Sequence, residues 1–114
     1  MQIKAAVLDP YVRLGRLFGE VLTNAGCDTR VFHNWSSVAA SSEVQIVICD
    51  MSLCDSLFRL KRLKKSSALV SVTFFPSWKT SYKNLSKVPA EWLIPKIPGK
   101  FGVVQLENIV RAVK

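Results

Sequence analysis

The sequence predicts a doubly wound α/β domain, a five-stranded parallel sheet with helices on both faces. Two observations predict it. Five short apolar runs, rich in β-branched residues, alternate with stretches of helical period, which is what crossovers between parallel strands require. The clearest run, Val44-Gln45-Ile46-Val47-Ile48-Cys49, stops on a carboxylate, Asp50. An Asp at the carboxyl end of a buried strand stands where open α/β sheets gather their ligands.

In chain order, residues 3–8 form the first strand, which ends on Asp9; Pro10 suits a turn or a helix opening. Leu14, Leu17, Phe18, Val21, Leu22 and Ala25 then trace one helical face, and Gly26 stops it. Residues 29–32 are a short second strand, and Asn34 caps a brief helix through Val38-Ala39-Ala40. Residues 44–49 are the third strand. Asp55 or Ser56 caps a helix with Leu57, Leu60 and Leu63 inward and Arg59, Lys61, Arg62, Lys64 and Lys65 outward. Residues 68–75 are the fourth strand. Within 77–87, Trp78, Tyr82 and Leu85 mark the apolar edge of a helix, with Lys79, Lys83 and Lys87 along another. Residues 92–95 are a fifth strand, and 102–113 a last helix that buries Val103, Leu106, Ile109, Val110 and Val113.

The 114 residues suffice for one domain with one core, so residues 1–114 read as a single unit. With 49% hydrophobic and 21% charged residues, the chain is not of the disordered class. No run is long enough to span a membrane, and Asp9 interrupts the first strand too soon for a signal peptide; a cytoplasmic protein is expected. The cysteines (Cys27, Cys49, Cys54) are odd in number and form no zinc pattern, and Cys49 reads as a small core hydrophobe. Lys and Arg total 16 against 8 acids, a formal charge of +8. That keeps an acidic partner, nucleic acid or an anionic surface in view.

Asp9, Asp50 within Cys-Asp-Met-Ser-Leu-Cys-Asp, Thr73 and Lys96 stand at the carboxyl ends of strands one, three, four and five. In that order the chain resembles a response-regulator receiver domain along essentially its whole length. The resemblance implies a flavodoxin-like sheet of order 2-1-3-4-5. It also implies that Asp50 is a phosphoacceptor and that Asp9, Asp50 and the backbone carbonyl of Ser52 ligate Mg²⁺. Lys96 would pair with a phosphoryl oxygen, and Thr73 would donate its hydroxyl to another. A histidine kinase or phosphotransfer protein would supply the phosphoryl group. Catalysis would extend at most to self-phosphotransfer and autodephosphorylation at Asp50.

Three positions depart from the family pattern. Pro10 stands where a second acid is usual, a loss of ~1 to 2 kcal/mol in metal binding if the contact is water-mediated or charge-assisted. Cys54 replaces a loop proline, in a loop two residues short. Lys96-Ile97-Pro98 replaces Lys-Pro. A non-proline cis bond costs ~3 kcal/mol, so the turn is either trans with Lys96 redirected or has its proline shifted by one. The aromatic switch position falls between Trp92 and Leu93.

Each candidate also has a plainer reading. Asp50 is a turn or cap residue, Asp9 before Pro10 an Asx turn, Thr73 a β-former with Phe74 an equal claimant, and Lys96 a solvated lysine. His33, the sole histidine, reads as a loop residue with no evident partner. The basic helix faces read as solvation. Yet Trp78, Lys79, Tyr82, Lys83, Lys87 and Trp92 combine aromatic anchors with cations, which suits an interface for an acidic output protein.

Two functions follow. The first is a receiver phosphorylated on Asp50 in a phosphorelay; as the chain stops with the fifth helix, output by surface contact is expected. The second is a pseudo-receiver, an interaction module independent of phosphorylation, favoured by Pro10, Cys54 and Ile97. Nucleic-acid binding has only the lysine ridge behind it, with no helix-turn-helix, RNP-like or zinc-finger pattern. Flavin binding rests on fold class alone.

Overall fold

The structure, a computed structural model, describes residues 2–34, 44–53, 69–74, 93–95 and 100–113, the backbone alone for 100–103. Five parallel strands, β1 (Ile3–Leu8), β2 (Cys27–Phe32), β3 (Ile46–Asp50), β4 (Leu69–Phe74) and β5 (Leu93–Pro95), form one sheet of order β2-β1-β3-β4-β5. This is the class and the strand order expected from the sequence.

The central strands are apolar on both sides because both faces are covered. In β1 only Lys4 is exposed, and all five residues of β3 are buried. Alternation along the strands divides the core. Ile3, Ala5, Val7, Ile46, Ile48 and Ile94 lie on one face with Phe18 and Leu22 of helix α1 (Val12–Asn24) and Leu106 and Val110 of helix α2 (Lys100–Val113). Leu8, Val47, Cys49, Val70 and Val72 form a second cluster, against which Val44, Met51, Leu53 and Leu93 pack.

α1 lies unusually low on β2. A Cβ on Gly15 would sit 3.0 Å from Val31 Cγ1, and one on Gly19 2.8 Å from Val31 Cγ2. The two glycines therefore admit the valine methyls beneath the helix backbone. At its end, Ala25 donates to the Val21 and Leu22 carbonyls and Gly26 to Thr23 at 3.0 Å. Gly26 has φ 99°, the left-handed turn that glycine takes without strain, and Cys27 already begins β2.

Some boundaries differ from expectation. β2 starts two residues before Thr29, directly after the Gly26 turn. β3 runs through Asp50, where the expected run ended at Cys49, because Asp50 still pairs with Thr73 of β4. Val44 packs on the core from outside the strand. α1 starts at Val12, and α2 at Lys100, each two residues early. The helices expected within 35–40, 55–65 and 77–87 lie outside the described residues. No helix among the described residues is long and apolar enough to cross a membrane.

Candidate functional site: an acidic crevice at the switch point

β1 connects to β2 on one side, while β3 continues the sheet on the other. The crevice that such a reversal opens lies at the carboxyl ends of β1 and β3. Asp9 directly follows β1, and Asp50 ends β3. Leu8 is level with Cys49, so the next residues, Asp9 and Asp50, leave neighbouring strands at one height, with strand axes about 4.8 Å apart. Asp50 is in turn level with Thr73. Counting by twos from Val7, Ile48 and Ser71 puts all three side chains on the face that carries α1 and α2. The exposures of Asp9 and Asp50 are only 1% and 3%. Two carboxylates this buried and this near lose hydration and repel, so donors must compensate them.

The backbone supplies several. Tyr11 N–H donates to Asp9 Oδ1 at 2.8 Å, across Pro10. Ser52 gives Asp50 Oδ2 two bonds, from its N–H at 3.0 Å and its hydroxyl at 2.5 Å. Both are Asx-type turns, in which a carboxylate folds back on an amide two residues on. Asp9 is further fixed through its main chain: its N–H donates to the Phe32 carbonyl at 3.0 Å, and its carbonyl lies 2.9 Å from His33 Nδ1. A carbonyl only accepts, so Nδ1 carries the proton. The Thr73 hydroxyl, 1% exposed, reaches the Cys49 carbonyl at 3.5 Å, a long contact that leaves it only lightly held.

Asp9, Asp50, Ser52 and Thr73 thus stand at one end of the sheet, with Ser52 bonded to Asp50 and Thr73 level with it. Thr73, not Phe74, is the β4 residue level with Asp50. Lys96, Trp78, Lys79, Tyr82, Lys83, Lys87 and Trp92 lie outside the described residues, as do Cys54 and the turn at Ile97 and Pro98. Two residues gain roles that the sequence reading missed. Ser52 acts through its hydroxyl as well as its backbone, which the Asp-x-Ser spacing of an Asx turn could have signalled. His33 is a partner of Asp9, which only the β1–β2 register reveals. Cys49 fills the core as the sequence expected, fully buried with Leu8, Val47, Val70 and Val72, and its sulfur is disulfide-bonded.

The donors suit a hard cation. Two carboxylates are oxygen ligands, and Mg²⁺ is commonly bound through one or two carboxylates while it keeps several waters. Among the described residues no group of three or more His, Cys, Asp or Glu could hold a metal, so a cation here would keep part of its hydration.

The fold and crevice define a doubly wound α/β domain with an acidic pair at its switch point. Neither a family model nor a curated protein matches the sequence. Solved structures do match. A response regulator receiver domain protein from Bacillus halodurans is 15% identical, with a TM-score of 0.67, over 100% of this chain and 98% of that one. The chemotaxis response regulator CheY4 of Vibrio cholerae is 12% identical, with a TM-score of 0.68, over the whole of both chains. NtrX from Brucella abortus, solved with ATP, is 19% identical with a TM-score of 0.72 over 99% of this chain, which spans 26% of that one. The chain has the fold of response-regulator receiver domains.

Proposed function

We propose that the chain is a receiver domain that accepts a phosphoryl group on Asp50 and signals through its surface to a partner protein. The supporting observation is the row Asp9, Asp50, Thr73, placed at the carboxyl ends of three adjacent strands and nearly closed to solvent. An Asp50 carboxylate oxygen attacks the phosphorus of an acyl phosphate or a phosphohistidine. The new O–P bond forms as the bond to the carboxylate or imidazole leaving group breaks, which leaves an aspartyl phosphate. Asp9, Asp50 and the Ser52 carbonyl would hold Mg²⁺, which neutralises charge on the phosphoryl oxygens when bound. Thr73 exchanges its long contact with the Cys49 carbonyl for a phosphoryl oxygen. Lys96, next after β5, pairs with another. The donor is a histidine kinase or phosphotransfer protein, and the output protein is acidic, to match the formal charge of +8.

The test is intact mass after incubation with acetyl phosphate and Mg²⁺. One added phosphoryl group, lost in Asp50→Asn, is expected; no adduct, or one that survives the substitution, ends the proposal.

A second reading has its own observation. Asp9 Oδ1 is held by the Tyr11 amide, with Pro10 standing where a second acid would help hold metal. A pseudo-receiver of this kind would bind no Mg²⁺ in calorimetry, and Asp50→Ala would bind its partner as well as the parent chain.

A further inference from the structure

We propose that the outer edge of β2 is an interface between two copies of this chain, joined antiparallel about a two-fold axis at Thr29 into one continuous sheet. The interface stands apart from the chemistry at Asp50.

β2 is the outermost strand, and among the described residues it pairs with β1 alone. One bond shows which of its residues face outward. The Phe32 carbonyl accepts the Asp9 N–H, so Phe32 turns its backbone groups toward β1. Along a strand these groups point alternately to one side and the other. Arg30 and Asp28 therefore turn theirs inward as well, whereas Thr29 and Val31 each present an N–H and a carbonyl to the outer side. Both residues are only half-buried. A groove of about 280 Å³, lined by Arg16, Glu20, Thr23 and Asn24 of α1, opens beside them. Such an edge is a template for another strand.

The side chains select which strand. Edge strands are commonly blunted by charges, above all lysine, that repel a second copy. Here Asp28 and Arg30 are both exposed, opposite in charge and two apart on one face of β2. In an antiparallel pair centred on Thr29, Asp28 of each copy stands directly opposite Arg30 of the other, and symmetry makes two ion pairs. With the axis at Val31, Arg30 would face Phe32; with it at Asp28 or Arg30, like charges would meet. The charges thus fix partner, direction and register together.

At the axis, the two Thr29 residues exchange a pair of N–H···O bonds. The Thr29 hydroxyl is buried with no hydrogen-bond partner among the described residues. The second copy brings a like hydroxyl across the ~5 Å that separates facing Cβ atoms, the spacing at which cross-strand Thr–Thr bonds form.

The full chain is sedimented in about 0.15 M salt, which screens long-range repulsion between two chains of formal charge +8. The parent is expected to dimerise. Arg30→Asp and Asp28→Arg each put like charges into both pairs, and each is expected to raise Kd at least about tenfold. Mixed in equal amounts, the two variants regain both ion pairs and are expected to associate as the parent does. In amide exchange of the parent, Thr29 and Val31 are expected to slow as concentration rises, while Asp28 and Arg30, turned toward β1, stay unchanged. A parent that remains monomeric, a dimer indifferent to both substitutions, or a mixture that fails to associate overturns the interface. So do Thr29 and Val31 amides protected at every dilution, which would mean that another segment of this chain already holds the edge.

Discussion

Ser52 binds a single oxygen of Asp50 twice, with its amide 3.0 Å and its hydroxyl 2.5 Å from Oδ2. A carboxylate oxygen that accepts two donors has less lone-pair density to offer an electrophile. The residue that steadies Asp50 therefore also restrains it.

Removing only the hydroxyl separates the two effects. Ser52→Ala keeps the amide bond and the backbone carbonyl but loses a charge-assisted hydrogen bond, worth about 1.5–3 kcal/mol. If about half of that is lost on reaching the transition state, labelling of Asp50 by acetyl phosphate should quicken about four- to tenfold. A time course by intact mass measures it, and an unchanged or slower rate would show that the hydroxyl does not compete.

Asp9→Asn tests the metal without disturbing the turn. The amide oxygen of asparagine can still accept the Tyr11 N–H, so the backbone bond survives while the charge goes. Mg²⁺ affinity in calorimetry is expected to fall on the order of tenfold, a loss of about 1–2 kcal/mol. A chelator is expected to abolish Asp50 labelling in the parent chain. Labelling at full rate in a chelator would exclude metal assistance.

His33 supports Asp9 from the far side, through the carbonyl. His33→Ala leaves that acceptor to water and is expected to cost about 1 kcal/mol in urea unfolding. Asparagine at this position can offer an N–H from a similar place and should recover part of the loss. In nitrogen NMR of the neutral ring, the proton should be found on Nδ1; finding it on Nε2 would remove this hydrogen bond.

The glycines of α1 differ in a measurable way. Alanine gains about 1 kcal/mol of helix propensity over glycine, but at Gly19 its Cβ would meet Val31 Cγ2 at 2.8 Å, on a side chain stiff at χ1. Overpacking costs about 1–3 kcal/mol, so Gly19→Ala should be destabilising by up to about 2 kcal/mol. Gly15→Ala, at 3.0 Å, should come out near neutral. Adding Val31→Ala should reverse the order of Gly19→Ala and its parent. Thermal melts of the five chains (the parent, the three single variants and the double) decide it.

Much of this was legible in the sequence because local pattern and tertiary context agree. Residues 3–8 read as a strand and are one, and the apolar spacing of Phe18 and Leu22 marks the buried side of α1. What was not legible depends on register. Nothing local says that Asp50 stays in the ladder, since its place is set by Thr73 twenty-three residues on. Nor does composition reveal that His33 returns to Asp9, which requires β1 and β2 to pair Leu8 with Phe32. Cys49 illustrates a third limit. Burial and small size read correctly, but nothing local signals that its sulfur is disulfide-bonded.

The seating of α1 has a directional consequence. Val31 sits between two glycines like a pawl between teeth, so the helix cannot slip along β2 without driving a methyl into backbone. The stretch from Asp9 to the first turn of α1 is thereby anchored.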